Sequence, residues 1–144
     1  MNGPQQEENI VSGIYDGYSD TQKEIMELEK KKTRNKLFTL AVLIFASDFL
    51  ALLVLDAVNT QTLLIIAVIP LVFVGLAFLA LKEPMLAMII GALILVGAWT
   101  YTIIATGGQA AISGWLIKAI AVYLLFAGFQ NAREAQRIKK ELNL

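Results

Sequence analysis

The chain has 144 residues, 57% of them hydrophobic and only 17% charged, with a formal net charge of zero. That length is one domain's worth of sequence, and the composition lies outside the range of ordinary soluble domains. Cysteine and histidine are both absent. This excludes disulfides, thiolate nucleophiles, thiolate or imidazole metal sites and histidine acid–base catalysis. Balanced charge gives no field for nucleic acid, and nothing in the composition calls for a cofactor.

Residues 1–18 are polar and without period, and read as a disordered segment. Ser19-Asp20-Thr21 resembles a helix start, with Thr21 and Glu24 spaced as a capping box. The helix over 19–36 places Ile25, Met26 and Leu28 on one side and sets Glu27 four residues before Lys31. No breaker separates it from the first apolar run. The first 36 residues hold no secretory signal, so that run is expected to act as an uncleaved anchor.

Four spans follow, at about 37–58, 62–81, 84–106 and 111–131, each near the ~20 residues needed to cross a ~30 Å hydrocarbon core. Asn59-Thr60-Gln61 divides the first two, and Pro70 predicts a kink within the second. Pro84 suits the first position of the third helix, and Gly107-Gly108-Gln109 breaks the third from the fourth. The last helix is expected to run on as a tail over 133–144, where Ala135, Ile138 and Leu142 share a face. This tail and the N-terminal helix are expected to pack together beneath the membrane, Ile25 and Leu28 against Ile138 and Leu142, or to dock a cytoplasmic protein.

The fold class is therefore all-α: an integral membrane four-helix bundle with a cytoplasmic amphipathic helix continuous with its first span and a helical C-terminal tail. Of the 12 Lys and Arg, all but Lys118 lie before the first span, at Lys82 or after the last span. The positive-inside rule then places both termini and the Lys82 turn in the cytoplasm, as in a bacterial inner membrane protein. Trp99, Tyr101 and Trp115 fall toward the opposite face as an aromatic belt.

Asp48 and Lys118 are the ionisable groups, tyrosines apart, well inside the spans. A charge at a helix centre costs about 2.5–3.5 kcal/mol on insertion scales, so both are expected to point inward. Counted from the cytoplasmic edge at 1.5 Å per residue they lie at roughly 18 and 22 Å, depths that allow them to meet. Gly114, Lys118, Ala121, Leu125, Gly128 and Ala132 form a mostly small-residue stripe, as do Ala41, Phe45, Asp48 and Ala51 on the first span. An intramembrane pair of Asp48 and Lys118 is the expectation, with Tyr101, Thr102 and Tyr123 as polar neighbours. Snorkelling of Lys118 to the surface and a protonated, hydrogen-bonded Asp48 are the alternatives. Lys30, Lys31, Lys32 and Arg34 are placed to meet anionic lipid.

Four short spans in a small chain are similar to the small multidrug resistance transporters. Those carry a glutamate in the first span and almost nothing before it. Here the acid is Asp48, a long polar segment precedes it, and Lys118 would oppose a cationic substrate, which sets this chain apart from that family. Intramembrane serine proteases pair serine with histidine, which this chain lacks. The expected function is non-enzymatic: an interaction or scaffold subunit, or a homo-oligomer, meeting a membrane partner or itself. The alternative is a small transporter or channel that uses Asp48 and Lys118.

Overall fold

A computed structural model describes residues 4–54, 56, 58–105 and 114–144, with the backbone alone over 4–12 and at 105. Among these residues the chain forms four helices and no strand: α1 Pro4–Val54, α2 Thr60–Leu79, α3 Pro84–Ala105 and α4 Trp115–Glu141. Each is long and apolar enough to cross a membrane. The chain is a multi-pass membrane protein.

α1 is one continuous helix of 51 residues, about 75 Å at 1.5 Å per residue. The helical start expected at Ser19 is not a start, and the segment read as disordered is helical from Pro4. The cause is visible at Thr21. Its hydroxyl donates to the carbonyl of Gly17, 2.9 Å away and one turn back, rather than capping the turn ahead. Proline occupies the first helical position, where its missing N–H costs nothing.

The capping box lies instead at Asn59. Its side chain accepts from the Thr62 N–H at 2.9 Å, and the Thr62 hydroxyl accepts from the Asn59 N–H at 3.1 Å. The polar turn expected at 59–61 is thus the opening of α2, which begins at Thr60. α2 continues unbroken through Pro70, which is buried. Pro84 does open α3. The break at Gly107–Gln109 and the expected start of the fourth span at 111 lie outside the described residues.

The core joins Leu37, Leu40 and Ala41 of α1 to Phe73, Leu76 and Ala77 of α2, Ala87, Met88 and Leu95 of α3, and Ala121, Leu124, Leu125 and Ala132 of α4. Phe38 and Phe78 meet edge to face, their centroids 5.7 Å apart. All of this packing lies toward one end of the bundle. α1 is buried as far as Ala41, α2 from Pro70 onward, α3 as far as Leu95 and α4 from Ala121 onward. In the other half no described residue is buried.

α1 packs most extensively on α4, then on α2. The α1–α4 seam is antiparallel and runs on beyond the apolar core. Met26 clusters with Ala135, Ile138 and Leu142, while the Lys36 stem lies beside Gly128. The two helical ends therefore do pack together, but through Met26. Ile25 and Leu28, expected at that contact, face outward at 39% and 51% exposure. Glu27 binds Lys30 at 2.9 Å rather than Lys31. Lys139 reaches Glu83 in the α2–α3 turn at 3.1 Å, so the three basic segments gather at one end.

Close approach depends on two glycines. A Cβ on Gly91 would lie 3.2 Å from the Phe73 ring, and one on Gly128 would lie 2.6 Å from the Met88 methyl. Met88 is itself fully buried, so its end has little room to yield. Gly91→Ala is expected to cost about 1–3 kcal/mol by overpacking, whereas Gly75→Ala, inside α2 with open space around its Cβ, is expected to stabilise by up to about 1 kcal/mol. Reversible unfolding in mixed micelles compares the two. The exposed Lys139–Glu83 pair positions the turn more than it stabilises it, and Glu83→Ala is expected to cost less than about 1 kcal/mol in the same assay.

Candidate functional site

In the loosely packed half, three helices wall a cavity of about 300 Å³. α1 contributes Ser47, Asp48 and Ala51, α3 contributes Trp99 and Thr102, and α4 contributes Ile117 and Lys118, with Gly114 at the rim. α2 takes no part. The spacing explains the wall: residues 47, 48 and 51 share one side of an α-helix, as do 114, 117 and 118. On α3, Trp99 and Thr102 stand three apart on one side.

Asp48 and Lys118 thus face the same space, and both are half-buried. The cavity brings the two residues to one wall. Its position follows from cost. An acid and an amine are expensive in a dry apolar contact, and they occur where the helices part instead of where they close.

Of the three polar neighbours expected, only Thr102 lines the cavity; its hydroxyl donates to the Ala98 carbonyl at 2.8 Å. Tyr101 and Tyr123 turn outward, 75% and 66% exposed, because each falls on the side of its helix away from the buried stripe. Ser47 and Trp99 were not anticipated. Ser47 was legible as the direct neighbour of Asp48, and Trp99 as one helical turn from Thr102. The α4 stripe faces inward from Lys118 through Ala121, Leu125, Gly128 and Ala132, with Gly114 exposed. On α1, Ala41 is buried but Phe45 and Ala51 are exposed.

The basic cluster is partly occupied by its own helix. Lys30 binds Glu27, Lys32 binds Glu29, and Arg34 donates to the Asn35 side chain at 3.1 and 3.2 Å. Lys31 is exposed. At the end of α4, the hydrogen bond that Arg137 donates to Glu141 at 2.9 Å, aided by the charge of Glu134, raises the Arg137 pKa above its ordinary value. No group of three or more acidic side chains able to hold a metal occurs among the described residues.

Substitution tests whether the cavity charges interact. Asp48→Asn and Lys118→Met are each expected to destabilise the protein, and the double change to recover about 0.5–3 kcal/mol of the summed loss. Strict additivity in a double-mutant unfolding cycle would show two residues that share a wall without interacting. Comparison with protein-family models, with curated proteins and with solved structures yields no match.

Proposed function

We propose that this chain is a non-enzymatic interaction protein of the membrane, one that presents the projecting end of α1 to a partner on the cytoplasmic side. The observation that carries this reading is the reach of α1. α4 ends at Glu141, beside Met26, whereas α1 extends to Pro4, and every side chain from Gly13 to Tyr18 is exposed. Ile14, Tyr15 and Tyr18 are 59–68% exposed on that projection. Apolar and aromatic side chains held outward on a rigid helix are the usual anchors of protein contacts.

The gathering of the basic segments at one end supports a cytoplasmic location for that end and for both termini, as in a bacterial inner membrane. Lys31 at the foot of the projection is placed to meet anionic headgroups. This orientation makes a simple prediction. In intact cells, cysteine at Asn59 reacts with an impermeant thiol reagent applied outside, and cysteine at Glu83 reacts only after permeabilisation.

A second reading rests on the cavity. Ser47, Asp48, Thr102 and Lys118 are a wall suited to a small polar or zwitterionic solute, and the reading makes the protein a transporter or channel. One pair of experiments separates the two. A photo-crosslinking residue at Tyr15 in the full-length protein is expected to give a discrete protein adduct in cells. Absence of any adduct, together with vesicle flux that is lost in Asp48→Asn, would overturn the interaction reading in favour of transport.

A further inference from the structure

The side of α1 that faces away from α4 has a period of its own. Ile14, Tyr18, Thr21, Ile25, Leu28 and Lys32 step by alternating fours and threes, the spacing of a heptad seam. Val11 continues the series in the sequence. All six of these side chains are exposed, Ile14 at 66% and Tyr18 at 59%. At 100° per residue the seam's centre lies about a third of a turn from Met26 and Thr33, which are buried on the α4 side. The two faces are separate.

We infer that this seam joins α1 to α1 of a second copy, forming a parallel two-stranded coiled coil that projects from the basic end. This rests on the reading of the α1 projection as an interaction element and names its partner.

The residue types choose the state. With Tyr18, Ile25 and Lys32 as a positions, and Ile14, Thr21 and Leu28 as d positions, the Ile25–Leu28 step alone has the β-branched a and leucine d that favour two strands. A single lysine at an a position specifies register and partner number at some cost in stability. Its charge is already balanced, because Lys32 binds Glu29 of its own helix. Glu29, which would otherwise flank the seam, is turned to Lys32 and buried. Thr21 also presents no unsatisfied group, since its hydroxyl is bonded to Gly17.

Continuity selects a second copy over an unrelated protein. The same 3–4 spacing passes from Lys32 through Asn35, Thr39, Val42 and Ala46, all exposed, and so enters the membrane on one side of one helix. A partner along the whole face must be a helix that leaves the membrane in the same direction. Two copies inserted alike supply that helix about a two-fold axis normal to the membrane. Thr39 and Ala46 are small enough there to let the backbones approach. A short coiled coil is marginal when it must also nucleate its helices. Here the helix is already one piece with an anchored span, and confinement to a membrane raises the effective concentration of the partner.

The chain has no cysteine, so single cysteines report directly. In full-length protein in native membranes under mild oxidation, Ile14→Cys, Tyr18→Cys, Ile25→Cys and Leu28→Cys are expected to form disulfide dimers. Their yields should be several-fold above those of Asp16→Cys and Lys23→Cys on the opposite side. Adding Ile25→Glu and Leu28→Glu, both at exposed positions, to Tyr18→Cys should reduce its yield to that of the opposite side. Equal yields on both sides, or no dimer from the seam, overturn the coiled coil. If a photo-crosslinker at Tyr15 then captures a protein of another mass, the interaction reading stands and the self-association falls. If it captures nothing, both fall.

Discussion

The rest of the molecule hangs on the antiparallel seam between α1 and α4. Matched positions advance along α1 as they recede along α4, from Met26 and Ile138 past Lys36 and Gly128 to the cavity that Asp48 and Lys118 share. Within a bilayer, apolar surface gives no net drive for helices to associate, so shape and small residues decide the contact. Ala121, Gly128, Ala132 and Ala135 provide that shape on α4. Met26 packing on Ile138 extends that seam beyond the main apolar core. With the first and last helices held together along their basic halves, α2 and α3 need only a short capped turn and a proline start to complete the bundle.

Packing is unequal along the bundle axis, and polarity follows the inequality. The half near the basic end holds Phe73, Met88 and Leu95 with hardly any exposure. The opposite half holds Ser47, Asp48, Thr102 and Lys118 around open space. A closed contact would strip water from an acid and an amine with little return. An open one leaves room for water or solute to reach them. The placement of the charges and the parting of the helices are thus two expressions of one energetic constraint.

Much of this was legible in the sequence, and the failures have physical reasons. Hydropathy and basic residues marked four helices and a common basic end because membrane length and charge cost are strong, local signals. The start of α1 was misplaced because Ser19, Asp20 and Thr21 have the chemistry of a cap, and only geometry shows the Thr21 hydroxyl bonded backward. Asn59 was read as a spacer, although Thr62 three residues on carried the reciprocal pattern. Sequence position sets the depth of Tyr101 and Tyr123, but depth does not fix azimuth. Their outward direction depends on which side of α3 and α4 is buried, and composition does not report that. Ile25 and Leu28 failed likewise: a helix with apolar residues on two sides has two seams, and Met26 took the intramolecular one.

That double amphipathicity puts features of both ends of the protein on one helix. One unbroken helix carries Tyr18 and Ile25 outside the bundle and Asp48 at the cavity. A rigid helix cannot rotate at one end alone. Any turn of α1 that changes what its projecting end presents also swings Asp48 relative to Lys118, unless the helix breaks, and no proline or glycine lies between Gly17 and Val54. The α4 seam resists such a turn, because it would disturb the packing of Met26 on Ile138 and of the Lys36 stem on Gly128. An interaction surface and a polar cavity need not be rival accounts of this fold, because the same backbone holds both in register.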